Sequence, residues 1–396
     1  MLNQIIVPIL IVLSGLVCLE YAIPIAVGEF LAGMVGETLF GVSRLSWLDF
    51  FSHLGLISLM FLAGFEIDLK ILYRNKYKSL LIGGSSFLVP FSLILSFCFW
   101  MGWPYRTAGV LGVALSTTSL AIVFPILREK GLLRTSAGQL LLSSAMVVDI
   151  ASMLMLLFLF YQPSLANSVL LGALLAGFFP VKKFVFRLFE RYQGNRGEFE
   201  LKLLFLVILT FSLLAEEAGI HEAVICFVLG VLFSEIDPSH EALMEKLNSV
   251  VFSLLAPLFF FHVGSMIRFS EIDGRVIGLF FLFLFLSLGG KFLGTYAPLR
   301  LFSAPVARFG AVLFNYRLSF GLVAAIFGLR RGIIDSSLFN VILLCVLFSS
   351  LAAVVIEKKF LGTPALSFPL PEKAGEGLAG IAAAPADAVV SDPEKP

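Results

Sequence analysis

Apolar segments long enough, or nearly long enough, to cross a lipid bilayer recur along almost the whole chain. Roughly 13 can be marked, at about 3–19, 21–40, 50–68, 78–102, 106–127, 136–161, 164–186, 200–216, 219–235, 248–268, 274–299, 305–329 and 336–357. Hydrocarbon offers no water to the backbone, so open segments of this kind can span it only as helices. The expected fold class is an all-α polytopic membrane protein with about 13 transmembrane helices. Composition agrees, since 59% of residues are hydrophobic and 14% charged, against about 25% charged in soluble domains.

The loop charges orient these spans. With the N-terminus outside, alternate loops on the inside receive eighteen Lys and Arg, among them Lys70, Arg128, Lys130, Lys182, Lys183, Arg300 and Lys358. The outside loops receive six, Arg44, Arg106, Arg268, Arg275, Arg330 and Arg331. That asymmetry satisfies the positive-inside rule and places the C-terminus in the cytoplasm. Two basic residues, Lys291 and Arg317, then fall within spans.

Several function classes are disfavoured. The net charge is +1, and no basic patch is interleaved with aromatics in a nucleic-acid pattern. Cys18, Cys98, Cys226 and Cys345 stand singly in apolar segments, which reads as small reduced core residues. No nucleophile–base pair or metal-ligand cluster points to an enzyme, and no cofactor is expected. No GxGxxG fingerprint with a βαβ pattern occurs, so no nucleotide-gated domain is expected. The start Met1-Leu-Asn-Gln lacks a basic n-region, so the first span is expected to stay. Residues 363–396, rich in Pro, Ala, Gly and acids, form an expected disordered cytoplasmic tail behind a membrane domain over 1–362.

The polar residues inside the spans carry the functional signal. Asp149 stands alone within the apolar run Ser143–Phe158. An ionised carboxylate at mid-membrane costs at least ~3 kcal/mol on insertion scales and marks a functional position. It can be neutral, paired, or switched between the two. In segment five Ser116, Thr117, Thr118 and Ser119 follow one another and Pro125 comes next; hydroxyls can satisfy freed carbonyls, so a helix break is expected. The alternative is a Ser/Thr packing motif. Segment twelve offers a counterpart in Asn315-Tyr-Arg-Leu-Ser-Phe-Gly321. Two interrupted helices at matching places point to an inverted repeat with a site at the midplane, segments 4–6 pairing with 11–13.

Lys291 lies between glycines in Leu286–Gly294. It must pair, snorkel or shed its proton, and it lies far from either segment end. Arg317 keeps its charge and is expected to hold unwound carbonyls or a carboxylate. Glu29 is deep enough to pair with Arg317 or line a vestibule. Glu66 and Asp68 lie beside Lys70, which reads as a solvated span end. His262 reads as a hydrogen-bonded packing residue, with a pH sensor as the alternative.

At these residues the chain resembles the Na⁺(K⁺)/H⁺ antiporters of the second cation:proton antiporter family, from about Ile23 to Lys359. The resemblance rests on Val27-Gly-Glu-Phe-Leu-Ala-Gly33, Phe61-Leu-Ala-Gly-Phe-Glu66, Leu115-Ser-Thr-Thr-Ser119 and Ile126-Leu-Arg-Glu-Lys-Gly-Leu-Leu133. Pro257–Gly264, Gly290-Lys-Phe-Leu-Gly294 and Gly321–Leu329 continue it in the same order. It implies two crossed broken helices, a homodimer, and a core that moves as an elevator. It implies an exchange carboxylate at Asp149, coordinating oxygens at Thr118 and Ser119, and a membrane lysine at Lys291. Ser116, Thr117, Arg317 and Glu29 are then site-organising residues. The chain departs from many members at Val148, where they carry an acid, Asn or Gln, and at Ser319, where some carry a glutamate. Lys291 therefore lacks its usual partner, and pairing with Asp149 or neutrality stay open.

The expected function is exchange of a monovalent cation, Na⁺ or K⁺, for protons by alternating access. Cation and proton compete for one carboxylate, so Asp149 holds an alkali cation only transiently. The alternatives are a membrane sensor or scaffold of the same fold, or an ion channel. The expected setting is a bacterial inner membrane, with cation, proton and lipid as the partners.

Overall fold

The computed structural model describes residues 2–21, 23–133, 135–161, 164–192, 198–234, 241–302, 304–318 and 320–361. The expected tail and Ser319 lie outside the described residues. Among the described residues the chain is helical and has no strand. In order the helices are α1 (Leu2–Glu20), α2 (Ile25–Phe40), α3 (Ser46–Phe65), α4 (Leu69–Arg74), α5 (Lys76–Trp100), α6 (Tyr105–Ala114), α7 (Leu120–Glu129), α8 (Ser136–Phe160) and α9 (Leu165–Tyr192). They continue with α10 (Phe199–Glu217), α11 (Glu222–Phe233), α12 (Glu241–Val250), α13 (Ala256–Ser265), α14 (Gly274–Phe302), α15 (Ala304–Leu313), α16 (Phe320–Arg330) and α17 (Ser336–Leu361). Each apolar segment coincides with one helix or with two consecutive ones. Seven stretches are by themselves long and apolar enough to cross a membrane: Ser46–Phe65, Lys76–Trp100, Ser136–Phe160, Asn167–Phe189, Leu243–Ser265, Gly274–Phe302 and Ser336–Lys358. The chain is a multi-pass membrane protein.

Local chemistry places the helix ends. Gly41 closes α2 in the left-handed region (φ 61°), with its N–H donating to the Glu37 carbonyl, a conformation that costs glycine least. Asp68 caps α4 by accepting from Lys70 N–H and Ile71 N–H. The Thr135 hydroxyl caps α8 by accepting from Gly138 N–H at 3.0 Å. Between α12 and α13 the chain takes a five-residue π-turn, Val251–Leu255, just before Pro257. Proline has no N–H and crowds the carbonyl four residues back, so the helical ladder loosens there.

The helices pack as two groups. In one, α2 lies on α13 and α3 on α11, with α1 and α10 outside them. In the other, α5 lies along α14 and α8, while α14 also holds α15 and α17. Across its middle α6 meets α16. Thus α5, α6–α7 and α8 hold the same places in one half as α14, α15–α16 and α17 in the other, the inverted repeat expected of segments 4–6 and 11–13. The groups touch sparsely. One junction is an ion pair of Arg330 with Asp49, 3.6 Å apart, which also faces His262 at 3.4 Å. Another is the His221 ring edge-on to Phe327 at 4.1 Å. His262 is thus a polar-contact residue on Asp49.

The first group is held by a device the sequence reading missed. Four helices carry the same spacing, Phe30/Gly33 on α2, Phe61/Gly64 on α3, Phe227/Gly230 on α11 and Phe261/Gly264 on α13. A Cβ on Gly33 would strike the Phe261 carbonyl oxygen, and one on Gly264 would strike that of Phe30. The same reciprocity joins Gly64 to the Phe227 carbonyl and Gly230 to the Phe61 carbonyl. Lipid removes the hydrophobic drive for helices to associate, so backbone contact at small residues supplies it. At this distance the glycine Cα–H groups can also donate weakly to those carbonyls. The second group uses the same principle at α5–α14. There a Cβ on Gly290 would come 2.9 Å from the Pro90 Cα, and one on Gly294 2.6 Å from the Ser85 carbonyl oxygen.

Candidate functional site

Segment five breaks where the hydroxyl run begins. Helix α6 ends at Ala114, α7 starts at Leu120, and Ser119 between them is extended (φ −102°, ψ 106°). Segment twelve breaks between Leu313 and Phe320. The two breaks cross and are stitched together. Ser119 N–H donates to the Tyr316 carbonyl at 2.7 Å. The Thr118 hydroxyl donates to the Phe314 carbonyl at 3.1 Å. Each unwound strand thus satisfies polar groups that its own helix left free, which is the condition for non-helical backbone at membrane depth. Thr117 turns back locally, its hydroxyl 3.4 Å from the Ala114 carbonyl. The Ser116 hydroxyl is sealed from solvent and has no hydrogen-bond partner.

Lys291 is fully buried on α14. Its ammonium donates to the Ser116 carbonyl at 2.5 Å, where α6 runs out of helical partners for its last carbonyls. A cation there also meets the negative end of the half-helix dipole. The hydrogen-bond partner of Lys291 is this main-chain carbonyl, which neither expectation named, and no ion pair with Asp149 forms among the described residues. Arg317 occupies the corresponding place after α15. It donates to the Ser287 carbonyl and to Asn315 Oδ1, both at 2.8 Å. Its own N–H donates to the Ser350 hydroxyl at 3.3 Å. Its side chain holds one main-chain carbonyl of α14 and a side-chain amide and, among the described residues, no carboxylate. Glu29, buried on α2, therefore does not pair with Arg317.

Asp149 is completely buried on α8, and neither carboxylate oxygen has a hydrogen-bond partner among the described residues. Val148 beside it is buried too and supplies no second acid. Among the described residues, the charges of Glu66 and Lys291 reach Asp149. Lys291 thus lies within electrostatic reach of Asp149 while its ammonium holds the Ser116 carbonyl at the break. Glu66 corrects an expectation. It caps the end of α3, and one of its carboxylate oxygens is sealed from solvent without a hydrogen-bond partner. Asp68 is the solvated member of that pair. Nothing local distinguishes Glu66 from a loop acid, because its inward aim depends on how α3 packs.

Orphaned, buried carboxylate oxygens are costly unless something else satisfies them. The two broken helices carry hydroxyl oxygens and carbonyls of their own at the crossing. Such hard oxygen ligands suit a cation with little preference for nitrogen or sulfur.

Comparison with known proteins agrees with this geometry. Residues 6–358 match the family described as sodium/hydrogen exchanger, transmembrane. Cation/H⁺ antiporter 18 of Arabidopsis thaliana is 29% identical over 83% of this chain, which spans 44% of that protein. A matching Bacillus subtilis relative is likewise longer, with 59% of its length spanned. The Na⁺/H⁺ antiporter of Enterococcus hirae is 25% identical over 86% of this chain and 92% of its own length. In fold, the chain resembles the sodium proton antiporter MjNhaP1 from Methanocaldococcus jannaschii, with a TM-score of 0.64 and 15% identity over 91% of this chain and 97% of that one. A match running through both helix breaks, Asp149 and Lys291 identifies the chain as a member of the sodium/hydrogen exchanger transmembrane family.

Proposed function

We propose that this protein exchanges a monovalent cation, Na⁺ or K⁺, for protons across a membrane by alternating access. The observation that carries this reading is Asp149, fully buried on α8 with neither carboxylate oxygen hydrogen-bonded among the described residues. When ionised, it binds the cation together with oxygens of Thr118 and Ser119. When protonated, it is neutral and needs no cation. Either neutral form can cross, and the bare carboxylate cannot. Ser116, Thr117, Lys291 and Arg317 hold the breaks open, and Glu29 lines the approach.

All 13 apolar segments cross the membrane in this proposal, with the N-terminus outside and the C-terminus in the cytoplasm, as the loop charges favour. The protein works as a homodimer in a bacterial inner membrane. The test is reconstitution in vesicles carrying an internal pH dye. Adding Na⁺ or K⁺ outside should raise the internal pH, because each cation that enters drives protons out. Folded protein that gives no response to any alkali cation at several pH values would overturn the proposal.

Glu66 takes the part of the acid that is missing at position 148. A second negative charge roughly 8–16 Å from the cation adds about 1–2 kcal/mol at an effective dielectric near 20. Glu66→Gln should therefore raise the cation KM roughly tenfold while exchange persists. An unchanged KM for both Na⁺ and K⁺ would remove Glu66 from the site.

A further inference from the structure

The half-helix α7 is held at both of its ends by one pair of residues, Tyr316 and Glu357. At its start, Ser119 N–H donates to the Tyr316 carbonyl at 2.7 Å. The Tyr316 side chain then runs away from the break, and its hydroxyl donates to Glu357 Oε2 at 2.7 Å. Glu357, near the end of α17, forms an ion pair through its other oxygen with Lys130 at 3.2 Å. Lys130 is the residue that closes α7. The chain Ser119–Tyr316–Glu357–Lys130 therefore returns to α7 and closes a ring around its length, about 15 Å for ten residues. Tyr316 is 1% exposed, and the Glu357 and Lys130 side chains are 14% and 32% exposed. The ring thus runs from a buried break to a face that water reaches. The next residue, Lys358, donates to the Tyr21 carbonyl between α1 and α2, so the clamp sits where the two helical groups meet.

We propose that Tyr316, Glu357 and Lys130 form a clamp that positions α7 and so sets the placement of the Thr118 and Ser119 oxygens at the cation site. The clamp rests on the exchanger reading for its effect on transport, but its mechanical part stands on the hydrogen bonds alone. Thr118 and Ser119 immediately precede α7, and the Ser119 side chain makes no capping bond to the start of that helix. Any tilt of α7 displaces their oxygens, and misplacement by a fraction of an ångström weakens a multidentate site. All three are positioning residues; none needs to touch the cation.

The experiment compares Tyr316→Phe, Lys130→Met and the double variant with the full-length wild type. In vesicles each single variant should raise the cation KM about fivefold and change kcat by less than about twofold. The double variant should be no worse than either single one, because cutting the ring once opens it. Lys130→Met lies at the partly exposed end and is the variant that keeps the fold if Tyr316→Phe does not. Independently, hydrogen–deuterium exchange of the α7 amides should speed up in both variants, with α8 and α14 unchanged. Unchanged exchange in α7 overturns the clamp whether or not the wild type transports. Faster exchange in α7 with a wild-type KM overturns its role at the site. A wild type that moves no cation, with α7 loosened in both variants, sinks the exchanger reading and keeps the clamp.

Discussion

Asp149→Asn should abolish cation-driven proton movement without lowering the melting temperature. The amide keeps the volume of the carboxylate, so packing on α8 is preserved. It cannot neutralise a bound cation, and it cannot carry the exchanged proton. Losing that charge at a dry site removes at least ~3 kcal/mol of cation binding, roughly 100-fold or more. Stability moves the other way. Both Asp149 oxygens are buried without hydrogen-bond partners, and an uncompensated buried charge destabilises the fold that contains it. The variant should melt at or above the wild-type temperature in detergent, and added Na⁺ or K⁺ should no longer stabilise it. Retained exchange in the vesicle assay would remove Asp149 from the centre of the mechanism. A lowered melting temperature would show that unseen partners hold the carboxylate in the wild type.

The second large effect is structural. Gly64→Ala and Gly33→Ala should each destabilise the protein by about 1–3 kcal/mol, and valine at either position by more. The added Cβ would collide with the Phe227 or Phe261 carbonyl oxygen. A backbone atom cannot swing aside as a side chain can, so the helix axes must part along the whole crossing. Alanine at Gly84 or Gly278 is the control. Those glycines are also within helices, but a Cβ there meets open space. The helix preference of alanine should make these two changes neutral, or stabilising by up to ~1 kcal/mol. Thermal melting of the four variants in one detergent separates the cases. Equal melting temperatures for Gly64→Ala and Gly84→Ala would contradict the reciprocal contact.

Lys291 shows how a correct location can come with an open role. Its depth and the glycines around it were visible along the chain. Its partner was not, because the Ser116 carbonyl it holds lies 175 positions away. Arg317 is similar: its position in a break was legible, and its choice of the Ser287 carbonyl over Glu29 was not. Glu66 was misjudged for the same reason, since a carboxylate beside Lys70 looks alike whether it turns to water or inward. The clamp on α7 left no local trace, because Tyr316 and Glu357 are 41 positions apart and neither is unusual for its segment.

The membrane-embedded all-helical class, the two interrupted helices and Asp149 as a buried acid were all legible along the chain. These follow from hydropathy, from runs of hydroxyl residues and from one charge in an apolar stretch, all properties of a short window. The folded arrangement settles which carbonyl each buried cation holds, that one Glu66 oxygen is sealed from solvent, and which helices meet through Phe-x-x-Gly. Those are pairings across the fold. They are set by which backbones can approach closely, and hydropathy along a single segment carries no information about that.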